Sequence, residues 1–152
     1  MSSTIVLSVL LMGALYCLSG VDALPPNCVS SSCCNYCNET YIFTQNDCTS
    51  TFQSVLKAGN TTKNYELGQF SNYNYIDMVH TTISTCCPPG FHYKEDMSFT
   101  FSPGSQPSQC VVVGFSHSRD GTCDLGQDKA NIDTIIVATG LHTNGGATNS
   151  GC

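Results

Sequence analysis

The sequence contains no tryptophan, and its charged residues are scarce, at 11% of 152 residues. Basic residues are the rarest of these, five against eleven acidic ones, which gives a net charge of −6. The basic residues do not cluster along the chain; they are Lys57, Lys63, Lys94, Arg119 and Lys129. Such a chain would be repelled by a nucleic-acid backbone and by an anionic membrane surface, so both are disfavoured as partners.

Long apolar runs are also missing, except near the N-terminus. The run from Ile5 to Leu18 is too short to span a bilayer, which takes about 20 residues. Small and turn-prone residues follow it, and Val21 and Ala23 occupy the −3 and −1 positions of a cleavage site. This layout is typical of a secretory signal peptide. We therefore predict a signal peptide over residues 1–23, no membrane insertion, and a single secreted, extracellular domain over residues 24–152.

Cysteine, in contrast, is abundant, with eleven in the chain. One of these, Cys17, lies in the predicted signal peptide, and removing it leaves an even number. Outside the cell, paired cysteines form lasting disulfides. The predicted disulfide cysteines are Cys28, Cys33, Cys34, Cys37, Cys48, Cys86, Cys87, Cys110, Cys123 and Cys152.

The C-x-x-C at Cys34 to Cys37 also occurs in zinc sites and redox pairs. No second C-x-x-C or paired histidine motif accompanies it, so we favour structural disulfides and predict no metal and no cofactor. Adjacent cysteines rarely bond each other, so each doublet should reach two partners and make residues 28–48 a densely stapled N-terminal lobe. The pairing stays open, including whether Cys152 bonds within the chain or to another chain.

Hydrophobic periodicity predicts a mostly β domain. One helix is expected, starting at a cap at Thr49 or Ser50 and stopped by Gly59 after Ala58. Residues 28–39 are expected as loop and residues 60–74 as a loop or irregular hairpin. Predicted strands cover residues 40–44, 75–85, 97–102, 110–115 and 133–139, although 75–85 fits a helix about as well. The sum predicts a small antiparallel barrel or sandwich with one short helix and the disulfide-rich N-terminal lobe, with α+β as the alternative.

Catalytic patterns are weak. Gly114 to Ser118 resembles a nucleophile elbow but lacks its final glycine, and neighbouring Ser116 and His117 would point apart on a strand. Four aspartates between positions 120 and 133 do not have calcium-loop spacing, so we interpret them as a solvated loop. A small secreted hydrolase remains the alternative function. It requires a cleft where a histidine meets a carboxylate or a serine. The candidate histidines are His80, His92, His117 and His142.

The remaining signals favour recognition over catalysis. Tyr73 and Tyr75 lie in a stretch rich in Asn, Gln and Ser, a mixture that suits an adaptable binding surface. Asn38 and Asn60 begin N-x-[ST] sequons and are predicted glycosylation sites. We therefore predict a secreted, cysteine-rich, non-catalytic binding protein with an extracellular protein or polysaccharide as ligand. A module of a larger extracellular assembly is a further alternative.

Overall fold

The computed structural model describes residues 36–83, 92–119, 127–143 and 148–150. These ranges form, in chain order, β1 (Tyr36–Phe43), α1 (Cys48–Thr61), β2 (Tyr65–Ser71), β3 (Tyr75–Ile83), β4 (His92–Pro103), β5 (Cys110–Ser118), α2 (Gln127–Ala138) and β6 (Thr148–Ser150). None of the helices in these ranges is long and apolar enough to cross a membrane. The predicted signal peptide lies outside them, as do Cys28, Cys33, Cys34, Cys86, Cys87, Cys123 and Cys152.

The six strands form one antiparallel sheet in the order β2-β3-β4-β5-β1-β6. Strand β1 is inserted between β5 and β6, so both of its backbone edges are hydrogen-bonded. The mostly β prediction is confirmed, but the sheet is open and does not close into a barrel. Among the described residues α1 and α2 supply the second layer, as in the α+β alternative, so the correction concerns the closure of the sheet into a barrel.

Strand alternation places one side chain in two against the helices. In β4, Met97, Phe99 and Phe101 are buried as their spacing predicts, and in β3 Ile76 and Met78 are buried in the same way. Both helices contact this face. Helix α1 packs mainly on β2 and β4, and helix α2 packs on β5 and β1. We call it the inner face of the sheet, and the opposite side the outer face.

Helix α1 has the predicted location but different ends. Its N-cap is Asp47, whose side chain accepts a hydrogen bond of 2.7 Å from the Ser50 amide. Gly59 does not stop the helix, which continues to Thr61. An added Cβ at Gly59 would lie 2.9 Å from side-chain atoms of both Leu67 and Met78. The glycine therefore allows α1 to approach the sheet closely.

Helix α2 corrects the predicted strand over residues 133–139. Five residues at helical spacing are buried: Asp128, Asn131, Ile132, Ile135 and Ile136. Because two of the five are polar, the hydrophobic residues alone do not show the 3.6-residue period of a helix. The β-branched run "TIIVAT" then resembles a strand, yet Val137 within it is 78% exposed. The described chain thus has two helices where one was predicted.

A polar cluster fastens α2 to β1. Glu39, fully buried on the inner face, lies 3.0 Å from Lys129 Nζ and accepts a hydrogen bond from the Tyr41 hydroxyl. The same hydroxyl lies 2.8 Å from Asp133 Oδ1, so its single proton is shared between the two carboxylates, and Lys129 donates to Asp133 at 2.6 Å. Burial and the two carboxylates raise the pKa of the Tyr41 phenol. Burial alone would lower the pKa of Lys129, but its bonds to Asp133 and Glu39 outweigh this and raise it.

Of the predicted disulfide cysteines in the described ranges, Cys48 and Cys110 bond to each other. Cys37 is also disulfide-bonded. It lies on β1, in the interior of the sheet, so residues 36–39 are strand and not the predicted loop. Residues 148–150, in the glycine-rich tail, pair with β1.

Candidate ligand-binding groove

The outer face carries a groove with a volume of about 270 Å³. Because Ile76 and Met78 point inward, the intervening residues of β3 point outward, and the same alternation holds on β4 and β5. The ladder register places Asp77 opposite Ser98, and Ser98 opposite Phe115. The residues that line the groove on these three strands include Tyr75, Asp77, Val79, Asp96, Ser98 and Phe115.

The floor of the groove at β2 is a glycine. An added Cβ on Gly68 would lie 2.2 Å from Asp77 Oδ1, so a larger residue here would displace this carboxylate. Gly68 lies within the shift of the β2–β3 register between Leu67 and Phe70. Asp77 Oδ1 is itself buried and accepts no hydrogen bond from the residues that the structure describes. The groove therefore contains a carboxylate packed against the backbone of Gly68.

The second carboxylate of the groove is already neutralised. Arg119 donates two hydrogen bonds to Asp96, of 2.7 Å from Nε and 2.6 Å from Nη2. These bonds, assisted by the charges of Arg119 and His117, hold the pKa of the Asp96 carboxyl below its usual value. Both partners are more than 40% exposed, so we attribute a positioning effect and little stability to this pair.

Aromatic rings continue the groove across the outer face. The Phe115 ring lies 6.4 Å from the ring of Tyr36 on β1 and 6.2 Å from that of His117, at interplanar angles of 29° and 16°. Tyr36 is 44% exposed. A flat ligand or an extended aliphatic chain could therefore contact several rings in succession.

The structure separates the two predicted ligand-binding residues. Tyr75 lines the groove on the outer face. Tyr73 lies in the β2–β3 turn with a positive φ of 60°, and its ring packs edge-on against Phe52 of α1 at 5.3 Å. Tyr73 therefore covers the end of the core, whereas Tyr75 is available to a ligand.

The predicted sequons occupy different environments. Asn60 is exposed in the last turn of α1. Asn38 is half-buried on the outer face of β1, opposite Phe115 in the ladder. A glycan on Asn38 would thus project beside the aromatic end of the groove, while one on Asn60 would lie on the helical side.

Of the four candidate histidines, His80 is the one that meets a carboxylate on the inner face. Its Nδ1 lies 3.1 Å from Glu95 Oε2, and its ring stacks on Tyr65 with a centroid distance of 4.4 Å. His80 is 8% exposed. Ser118, the serine next in register, lies beyond Glu95 and two strands from His80, about 10 Å away. Among the described residues, His80 therefore meets Glu95 and the hydroxyl of Thr82, which lies 3.2 Å from the same Nδ1, but no serine within hydrogen-bond reach.

The other catalytic candidates are dispersed. Ser116 points inward and donates a 2.5 Å hydrogen bond to Asp128, while its neighbour His117 points outward, as predicted for adjacent strand residues. His92 and His142 are exposed. Asp120 and Asp124 lie outside the described residues. Within the described ranges no cluster of His, Cys, Asp or Glu could hold a metal ion.

Of the residues that line the groove, the sequence predicts a binding role for Tyr75 and points to none for Asp77, Ser98 or Phe115. Their alternation along each strand is visible in the sequence, and it predicts which of them share a face. What it does not predict is the register that places Asp77, Ser98 and Phe115 in one row across three strands.

Comparison with known proteins adds little. Neither a protein-family model nor a curated protein matches the sequence. Among solved structures, a DUF4468 family protein from Bacteroides ovatus is similar with a TM-score of 0.43 and 10% sequence identity, over 83% of this chain and 95% of that one. At this level of similarity the match indicates no function for this chain.

Proposed function

We propose that this protein is secreted and acts as a non-catalytic binding protein that takes its ligand in the outer-face groove. The observation that carries the proposal is the groove itself, where rings of Tyr75 and Phe115 flank the polar groups of Asp77 and Ser98. Ligand sites in proteins combine apolar walls with a few placed polar groups in this way. The disulfide between Cys48 and Cys110 supports an oxidising, extracellular compartment.

A rigid support favours recognition by this surface. The groove spans three successive ladders, β2–β3, β3–β4 and β4–β5, and the backbone of β3 and of β4 is hydrogen-bonded on both sides. The inner side chains of the same strands form the core with α1 and α2. A preorganised site of this kind loses little conformational entropy when a ligand binds.

The hydrolase alternative depends on His80 and Glu95. This pair is buried beneath Tyr65, and a substrate would have to displace that ring to reach the imidazole. The hydroxyl within reach is that of Thr82, 3.2 Å from His80 Nδ1, but this is the same nitrogen that contacts Glu95. When Nδ1 carries the proton that Glu95 accepts, it cannot take a proton from the hydroxyl, so the arrangement is not that of a base held by a carboxylate on its other nitrogen. We therefore rank catalysis below binding.

A binding screen on the secreted, disulfide-intact protein tests the proposal. The protein is applied to glycan and peptide arrays, and hits are titrated against Tyr75→Thr and Phe115→Thr. Each variant removes a groove ring, and we expect affinity to fall about tenfold, the order of a lost aromatic contact. Val111→Thr, on the outer face of the same strand as Phe115 but outside the groove, serves as the matched control and should bind like the wild type.

Two results would contradict the proposal. One is a ligand whose affinity is unchanged in both ring variants, which would place recognition elsewhere. The other is turnover of ester, glycoside or peptide substrates that disappears in His80→Gln while ring variants retain it, which would favour the hydrolase.

A further inference from the structure

Asp77 is the unusual residue of the groove. Its side chain is half-buried, and within the part of the chain that the structure describes it forms no ion pair and its Oδ1 accepts no hydrogen bond. Removing a carboxylate from water without a partner is unfavourable. A buried polar atom without a partner calls for an explanation, and a bound cationic group is one that would also offset the charge.

The surrounding charges make this carboxylate the main electrostatic feature of the groove. Asp96 is neutralised by its two bonds to Arg119. Lys94, a cation on the outer face of β4, does not line the groove. The net charge of the whole chain is −6, so its long-range field also attracts cations.

The aromatic walls suit the same kind of ligand. Tyr75 and Phe115 flank Asp77 and Ser98. Ring faces attract an ammonium or guanidinium group within about 6 Å, and they also pack against the aliphatic stem of a lysine or arginine. A neutral sugar hydroxyl could bond to the carboxylate but would leave its charge uncompensated.

We propose that the groove binds a lysine or arginine side chain presented by an extracellular protein partner, with its cationic head at Asp77 and its stem between Tyr75 and Phe115. This inference rests on the proposed binding function and specifies the class of ligand. A groove of about 270 Å³ accommodates a single side chain, so the rest of the partner would lie across the outer face.

The test uses short peptides that differ at one position. The ¹⁵N-labelled mature protein is titrated with acetyl-Gly-Gly-X-Gly-Gly-amide, where X is Lys, Arg or norleucine, and Kd is measured from amide shifts. We expect Lys and Arg peptides to bind about tenfold more tightly than the norleucine peptide, with the largest shifts at Asp77, Ser98 and Phe115. Raising the salt concentration should narrow this difference, because screening weakens the charge contribution.

Two substitutions test whether the preference for a cationic side chain depends on the carboxylate of Asp77. Asp77→Asn keeps the shape and removes the charge, and we expect it to abolish most of the preference for Lys over norleucine. Glu66→Gln removes an equal charge from an exposed position on neighbouring β2, outside the groove, and should change Kd less than about twofold. Thermal melts verify that both variants are folded. If Asp77→Asn is not folded, the peptide series on the wild type decides.

The outcomes separate this inference from the proposed function. Equal affinity for Lys and norleucine peptides, or a preference that survives in Asp77→Asn, overturns the cation assignment. Binding of a neutral oligosaccharide that is lost in Phe115→Thr, without peptide binding, overturns it as well but keeps the binding function. If neither the peptides nor an oligosaccharide binds, and if Tyr75→Thr and Phe115→Thr leave the affinity for every array hit unchanged, both proposals fall.

Discussion

Cys48 and Cys110 form a disulfide that joins the first residue of α1 to the first residue of β5. Cys110 is fully buried and lies opposite Phe43 of β1 in the ladder, so the bond is located at the end of the core where three elements meet. The two cysteines are 62 residues apart in sequence. The bond therefore closes a loop that contains α1 and the whole of β2, β3 and β4.

Removing this disulfide should destabilise the protein strongly. In Cys48→Ala/Cys110→Ala, the unfolded chain regains the entropy of a long loop, which predicts a loss of about 2–5 kcal/mol of unfolding free energy. Urea denaturation followed by circular dichroism measures the loss, with the remaining bridges verified by mass spectrometry of the non-reduced protein. A denaturation midpoint equal to that of the wild type would show that the packing of α1 alone fixes this end of the core.

Lys129 on α2 supplies the counter-charge for Glu39, which is buried on β1. Lys129→Met leaves Glu39 buried without its counter-charge, and we expect a loss of about 2–4 kcal/mol, since breaking buried pairs is costly. Glu39→Gln/Lys129→Met removes the stranded charge and should recover part of this loss. Lys57→Met, at an exposed position on α1, is the control and should change stability by less than about 0.5 kcal/mol. A double variant no more stable than Lys129→Met would contradict the interpretation.

Alkaline pH should weaken the same cluster. The pKa of Tyr41 in the folded state is raised above its ordinary value, so the folded state holds this proton more tightly than the unfolded state. The resulting stabilisation is complete below pH about 10 and is lost as the pH rises beyond it. Lys129, whose pKa is also raised, adds a contribution of the same sign.

Urea midpoints between pH 8 and 11.5 measure this effect. Tyr41→Phe should start less stable at pH 8, because it loses the hydrogen bonds to Glu39 and Asp133, but it should decline less with pH than the wild type. Tyr36→Phe, at an exposed tyrosine, should decline as the wild type does. Identical slopes for the wild type and Tyr41→Phe would show that Tyr41 does not contribute to the alkaline loss.

Much of the fold was predictable because apolar and polar residues alternate along the strands, and this pattern is local in the sequence. Met97, Phe99 and Phe101 alternate with polar residues, and the structure buries all three on the inner face. Residues 75–83 also form the predicted strand, which their β-branched content favoured. In β5, expected to be buried on both faces, Val111 and Val113 are only half-buried because no described helix covers the outer face.

What escaped prediction depends on long-range contacts. Helix α2 was mistaken for a strand because Asp128 and Asn131 occupy its buried face, and they are accepted there only through partners such as Ser116 and Gln127. The place of β1 between β5 and β6 arises from pairing across more than 60 residues of sequence. The groove could not be predicted for the same reason: Asp77 and Phe115 belong to different strands, and the sequence does not specify the register that brings them to one row.

Gly114 tests how tightly α2 packs on the sheet. An added Cβ at this position would lie 2.6 Å from Ile132 Cγ2 and 3.1 Å from Phe99, and both neighbours are fully buried. Gly114→Ala should therefore destabilise the protein by about 1–3 kcal/mol through overpacking. Ile132→Leu keeps the side-chain volume but removes the Cγ2 branch, so the alanine should cost less in that background. Urea denaturation of the four proteins in this double-mutant cycle measures the coupling. Strictly additive effects would mean that the helix moves away from the sheet as a whole, and that the contact with Ile132 does not set the distance between the two layers.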